Sequence, residues 1–190
     1  MVRAILKAEG QIVFIVTIAY CSLFMFTFVA LMPLQAVFFY WLPMNISLLF
    51  LPHGVRLLTA YFYGWKAIFY LLPGHIVTLA YLWYVLDGPQ DIWAPLVSIL
   101  ASFFAVCLVF RSWTSHSDSE FGRHWKLILL AGVVASFGNG LGHTLLYGGQ
   151  LDVAWVTLTM GFLIGDVSGL FCLMLMLIGI NKVARARQVW

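Results

Sequence analysis

Charge is what this sequence lacks. Asp, Glu, Lys and Arg make up 9% of its 190 residues, against about a quarter in an ordinary soluble domain. The hydrophobic share is 63% and the mean hydropathy is +0.99. No core of this size hides that much apolar surface from water, so the solvent is a bilayer. The alternating pattern of a membrane barrel is also missing. Several uncharged runs instead reach the roughly 20 residues of a spanning helix. The expected fold class is an all-α integral membrane protein. A Pro-, Ser- or Gly-rich linker is absent, as is any polar region large enough to fold alone. Residues 1–190 therefore read as a single transmembrane domain, whose longest polar stretch, 111–126, forms a cytoplasmic loop.

Other absences narrow the chemistry. Cys21, Cys107 and Cys172 sit in apolar runs without CxxC spacing, so they read as small core residues rather than disulfide or metal positions. A nucleophile–base pair, a phosphate loop and a metal cluster are all missing, and nothing argues for catalysis. The net charge of +3 does not point to nucleic acid, because basic residues in a membrane protein mark the cytoplasmic side. The N-terminal apolar run is long for a signal peptide and lacks a small-x-small cleavage site, so it reads as a retained first span.

Six spans are expected, at about 11–31, 46–64, 67–86, 92–110, 127–147 and 153–180. This polytopic bundle puts Arg3, Lys7, Lys66, Arg111, Arg123, Lys126, Lys182, Arg185 and Arg187 on one side. Asp87, Asp91 and Asp152 fall on the other. That asymmetry predicts both termini in the cytoplasm. Trp41, Trp83, Trp93 and Trp155 then mark outer span ends, and Trp65, Trp113 and Trp125 mark inner ones, as expected of rings that prefer the headgroup level. The segment 33–45 reads as an outer interfacial piece or a short re-entrant element.

One basic residue, Arg56, and one acid, Asp166, remain inside spans. Counting along the helices puts them roughly 15 Å and roughly 20 Å below the outer surface, near the middle of a hydrocarbon core about 30 Å thick. An unpaired charge there costs several kcal/mol, so the two are expected to pair or to share a polar cavity. Two readings stay open: a ligand site, or a pin between spans two and six. Gly161, Gly165 and Gly169 flank Asp166 at four-residue spacing, and Gly138, Gly140 and Gly142 line span five. Small residues so placed let helices approach closely. Pro52, with Gly54, is expected to interrupt span two, and Pro73 to interrupt span three. Freed backbone groups at that depth must be buried or face a wet cavity. His53, His75 and His143 are candidate polar or haem-ligating residues. They lack paired spacing within a helix, so no cofactor is predicted and hydrogen-bonded structural roles are preferred. Asn139 is expected to form an interhelical hydrogen bond. The 114–120 segment reads as solvated.

Two stretches resemble a known family. Pro52-His-Gly54-Val-Arg56-Leu57, followed by Gly64-Trp65, resembles the Pro-x-Gly then Gly-Trp pattern of the first class of membrane-associated sensor (MASE) domains, in particular the membrane part of sugar-phosphate sensor kinases. Gly165-Asp166-Val-Ser-Gly169 is similar to the Gly-Asp-x-x-Gly of a later helix in that family. The resemblance implies a bacterial inner-membrane sensory module that perceives an intramembrane or periplasmic cue. The sequence departs from the pattern at Phe50-Leu51, where Trp-Pro is common, and has fewer spans than is usual. An output domain is not part of it, which implies signalling through another membrane or signalling protein. The leading expectation is thus a non-enzymatic sensor-like or accessory subunit. The alternatives are a substrate-capture or transport subunit, resembling those of vitamin-uptake transporters, with Arg56 on an anionic group, and a coloured, cofactor-binding electron-transfer subunit.

Overall fold

A computed structural model describes residues 2–42, 46–86, 91–113, 121–147 and 155–187. Among these residues the structure is helical, with no strand. The helices are α1 (Val2–Phe26), α2 (Met32–Phe38), α3 (Leu51–Tyr63), α4 (Ala67–Val85), α5 (Trp93–Trp113), α6 (Phe121–Tyr147) and α7 (Trp155–Arg187). Five stretches are long and apolar enough to cross a membrane: Lys7–Phe38, Leu51–Val85, Trp93–Arg111, His124–Leu146 and Thr159–Ala186. The chain is a helical, multi-pass membrane protein.

Several sequence expectations need correction. Of the 33–45 segment, residues 33–38 are helical and continuous with the first span rather than a separate element, and 43–45 lie outside the described residues. α1 continues through a π-helical turn, Thr27–Leu31, into α2, and so carries the rod on to Phe38. Pro33 lacks an N–H and its ring crowds the carbonyl four residues back. The wider turn just before it absorbs that conflict, with the Met32 N–H reaching back to the Thr27 carbonyl. Nor does Pro52 interrupt a helix. It lies in the first turn of α3, where a missing N–H loses nothing. The non-helical part of expected span two is residues 46–50, which precede it. Pro73 lies inside α4, which continues on both sides of it. The expected loop 111–126 is shorter, because α5 runs to Trp113 and α6 starts at Phe121. Its centre, 114–120, lies outside the described residues, as do Asp87 and Asp152.

The helices alternate in direction. Glu9 and Tyr20 on α1 and Phe28 in its π-helical continuation meet Lys66, His75 and Tyr81 in that order, so α4 runs parallel to α1. Phe24 meets Phe50, at the start of α3, so α3 runs the other way. The reversal between α3 and α4 is made at Gly64, with φ 57° and ψ −132°, a backbone setting open to glycine and strained for other residues. A short 3₁₀ turn through Trp65 and Lys66 then starts α4. The pairs Ser98–Asn139 and Phe110–His124 make α5 and α6 antiparallel. The pairs Thr144–Thr159 and Asn139–Asp166 do the same for α6 and α7.

α3 is the central pillar. Every residue from Leu51 to Ala60 is buried, so the helix is enclosed on all sides. Its Leu57 sits in one core cluster with Leu71, Ile99, Ile128 and Leu170 of the surrounding helices. Lipid tails are as apolar as these side chains, so what holds the bundle is close packing rather than escape from water. Enclosure also explains why a helix carrying His53, Arg56 and Thr59 is tolerated. None of these polar groups faces lipid.

Candidate functional site

The site is built on α3, α5, α6 and α7. Arg56 projects from α3 back toward its own first turn, as helical side chains do. Its Nη2 lies 3.6 Å from Asp166 Oδ1 on α7 and 3.3 Å from His53 Nδ1, one turn earlier on α3. His53 Nδ1 is also 3.3 Å from Asp166 Oδ2. Arg56, Asp166 and His53 are 2%, 1% and 0% exposed, so the three groups neutralise one another inside protein. The guanidinium stands over the Phe50 ring, 5.5 Å from its centre, which adds a cation–π contact.

A chain of hydrogen bonds arrives from the other side. The Asn139 amide donates to Asp166 Oδ2 at 3.0 Å. Its carbonyl oxygen accepts from the Ser98 hydroxyl at 2.8 Å. With that proton committed, Ser98 Oγ is left to accept from His143 Nε2, 3.2 Å away. Each donor therefore points toward the Asp166 carboxylate, which is the arrangement an ionised acid requires. Ser102 steadies the run by donating to the Ser98 carbonyl at 3.0 Å. His143 stacks on Phe162 with ring centres 4.9 Å apart.

His53 sits at a choice. Arg56 can only donate and an ionised Asp166 can only accept. Nδ1 therefore either donates to the carboxylate or accepts from the guanidinium. The opposite ring nitrogen, 3.4 Å from Ser136 Oγ, takes the complementary role. One proton on one ring thus decides which of two charged neighbours His53 serves. Arg56 Nε and Asp166 Oδ1 have no hydrogen-bond partner, so the pair is held by charge at 3.6 Å without an ideal fork.

The glycines at 161, 165 and 169 do a different job from the expected helix–helix packing. They carry the non-helical residues 46–50. A Cβ on Gly165 would overlap the Ser47 carbonyl, one on Gly169 the Phe50 carbonyl, and one on Gly161 the Ile46 side chain. The Phe50 N–H donates to the Gly165 carbonyl at 2.8 Å, and the Ser168 hydroxyl donates to the Leu48 carbonyl. From the opposite flank Gln35 clamps the same strip, donating to the Ile46 carbonyl and accepting from the Leu48 N–H, both at 2.7 Å. Non-helical backbone at membrane depth survives only when satisfied in this way. Gly54 brings α3 against α7, where an added Cβ would stand 2.7 Å from Leu173.

The remaining sequence candidates lie apart. His75, on α4, stacks on Tyr20 at 4.1 Å and bonds the Leu71 carbonyl at 3.0 Å. Trp65 is exposed beside the Gly64 turn. Ser98, Ser136, Gln35 and Ser168 were not among the sequence candidates. Each is a polar residue in an apolar run, a signal that is weak for Ser and fair for Gln35. Among the described residues no three His, Cys, Asp or Glu side chains group as a metal site would. An open groove lies not at this cluster but on the face of α1, lined by Lys7, Gly10, Gln11, Phe14 and Ile15.

Comparison of the chain with protein-family models, with curated proteins and with solved structures returned no match in any of the three.

Proposed function

We propose that this chain is a non-enzymatic sensor-like or accessory subunit of the bacterial cytoplasmic membrane. It crosses six times, keeps both termini in the cytoplasm and acts through a partner membrane or signalling protein. Six alternating helices support the crossing number. Lys7, Lys66, Arg111, Lys126, Lys182 and Arg185 all belong to one end of the bundle, which supports the orientation. α3 has 13 residues, about 20 Å, and completes its crossing with the non-helical strip 46–50.

The observation that carries the reading is the buried cluster of Arg56, Asp166, His53 and Asn139 directly behind that strip. A displacement of 46–50, by a cue or a partner at the outer side, moves Phe50 off the Arg56 guanidinium. It also moves Gly165 next to Asp166. The His53 choice between its two charged neighbours gives the cluster two states to switch between. Of the residues that carry the MASE resemblance, Gly165 and Gly169 support this strip, Arg56 and Asp166 belong to the cluster, Pro52 and Gly54 lie on α3 beside it, and Gly64 and Trp65 form the turn below.

The test is a mild-detergent pull-down from native membranes with mass spectrometry of what is retained. A stoichiometric membrane or signalling partner, lost on Asp166→Asn while the chain stays folded, is the expected result. A chain that arrives alone with a bound small molecule overturns the reading in favour of substrate capture.

A further inference from the structure

One face of α1 is not covered by the rest of the protein. Val16, Tyr20 and Phe24 point into the bundle, where they pack with α3 and α4. Lys7, Gly10, Gln11, Phe14 and Ile15 recur at three- and four-residue spacing and so share the outward face. They line an open groove. Gly10 makes the notch in it, since nothing stands within 4 Å of where its Cβ would be.

The chemistry of this face is ordered along the helix. Lys7 is exposed at the end of the bundle, and no described residue pairs with it. Lys66, by contrast, is held by Glu9 at 2.7 Å. Gln11 follows one turn deeper, then Phe14 and Ile15, 67% and 64% exposed. From Lys7 to Ile15 the rise is about 12 Å. Cation, amide and hydrocarbon therefore succeed one another in the order phosphate, glycerol ester and acyl chain. The same end of the bundle carries Lys7, Lys66, Arg111, Lys126, Lys182 and Arg185. Glu9 is its one acid among the described residues. A zwitterionic lipid would bring a cationic amine to this end, whereas an anionic lipid brings only the charge it lacks.

We propose that the Gly10 notch on α1 binds one anionic phospholipid, with Lys7 on the headgroup phosphate and Phe14 and Ile15 against an acyl chain. The site is separate from the Arg56–Asp166 cluster and does not rest on the sensor reading.

The full chain, delipidated in detergent, is mixed with equal amounts of phosphatidylglycerol and phosphatidylcholine of the same acyl composition. Retained lipid is read by native mass spectrometry. Phosphatidylglycerol should be retained about fivefold over phosphatidylcholine, the ratio expected from one lysine beside a lipid of net negative charge rather than one whose phosphate is already offset by choline. Lys7→Gln should abolish the preference and Lys7→Arg should restore it. Gly10→Leu, which fills the notch and keeps the charge, should abolish it as well. Both positions are exposed, and matched melting temperatures confirm that the variants are folded. No preference in the wild-type chain, or a preference that survives either Lys7→Gln or Gly10→Leu, overturns the site.

Discussion

At the scale of single residues, the energetics turn on two charges that lipid cannot solvate. Removing one member of a buried pair leaves the other uncompensated, a loss of about 3–5 kcal/mol. Asp166→Leu or Arg56→Met alone should therefore lower the melting temperature in detergent sharply. The double variant Arg56→Met/Asp166→Leu should recover most of the loss, because the apolar replacements pack and leave no charge behind. If the double variant melts no higher than the worse single, the two side chains are not energetically coupled. Gln35 offers a second residue-scale test. Gln35→Leu preserves volume but strands the Ile46 carbonyl and the Leu48 N–H, at about 1–3 kcal/mol for each buried group. Hydrogen exchange at the Leu48 amide should accelerate well ahead of global unfolding. Unchanged exchange would show that the clamp is dispensable. Both charges were legible in the sequence, because two ionisable residues in a span of a nearly uncharged chain have few ways to survive. Ser98 and Ser136 were not, because a lone Ser in an apolar helix more often bonds its own backbone than a distant partner.

At the scale of elements, the glycine spacing was legible and its purpose was not. A small residue every four positions signals close approach by another backbone, but periodicity on α7 says nothing about whether that backbone is helical. Here it is the non-helical strip 46–50. The same ambiguity concealed the true role of Pro52: a proline in an apolar run breaks a helix or begins one, and only the course of the residues before it decides. The glycines should accordingly rank by what their Cβ would strike. Gly165→Ala and Gly169→Ala meet carbonyl groups of the strip and should destabilise by about 1–3 kcal/mol each. Gly138→Ala meets the Ala101 methyl at an ordinary 3.7 Å and should be near neutral. Equal effects at all three positions, measured by thermal unfolding, would contradict the strip's placement on α7.

At the scale of the whole molecule, the helical class and the charge asymmetry were legible, because composition and the positions of basic residues depend on neither packing nor loop conformation. The path of the second crossing was not, because 46–50 are as apolar as the helix they precede. Cysteine accessibility in a Cys-free background tests the six-crossing arrangement. Lys66→Cys and Asp91→Cys should react with an impermeant thiol reagent from opposite sides of sealed vesicles, and labelling from the same side would sink it. The strip carries one more consequence, in the order of manufacture. The Leu48 carbonyl waits for Ser168, which the ribosome adds 120 residues later, and Phe50 waits almost as long for Gly165. Until α7 is made and closes over it, the strip is an unsealed seam, dependent on water or the insertion machinery.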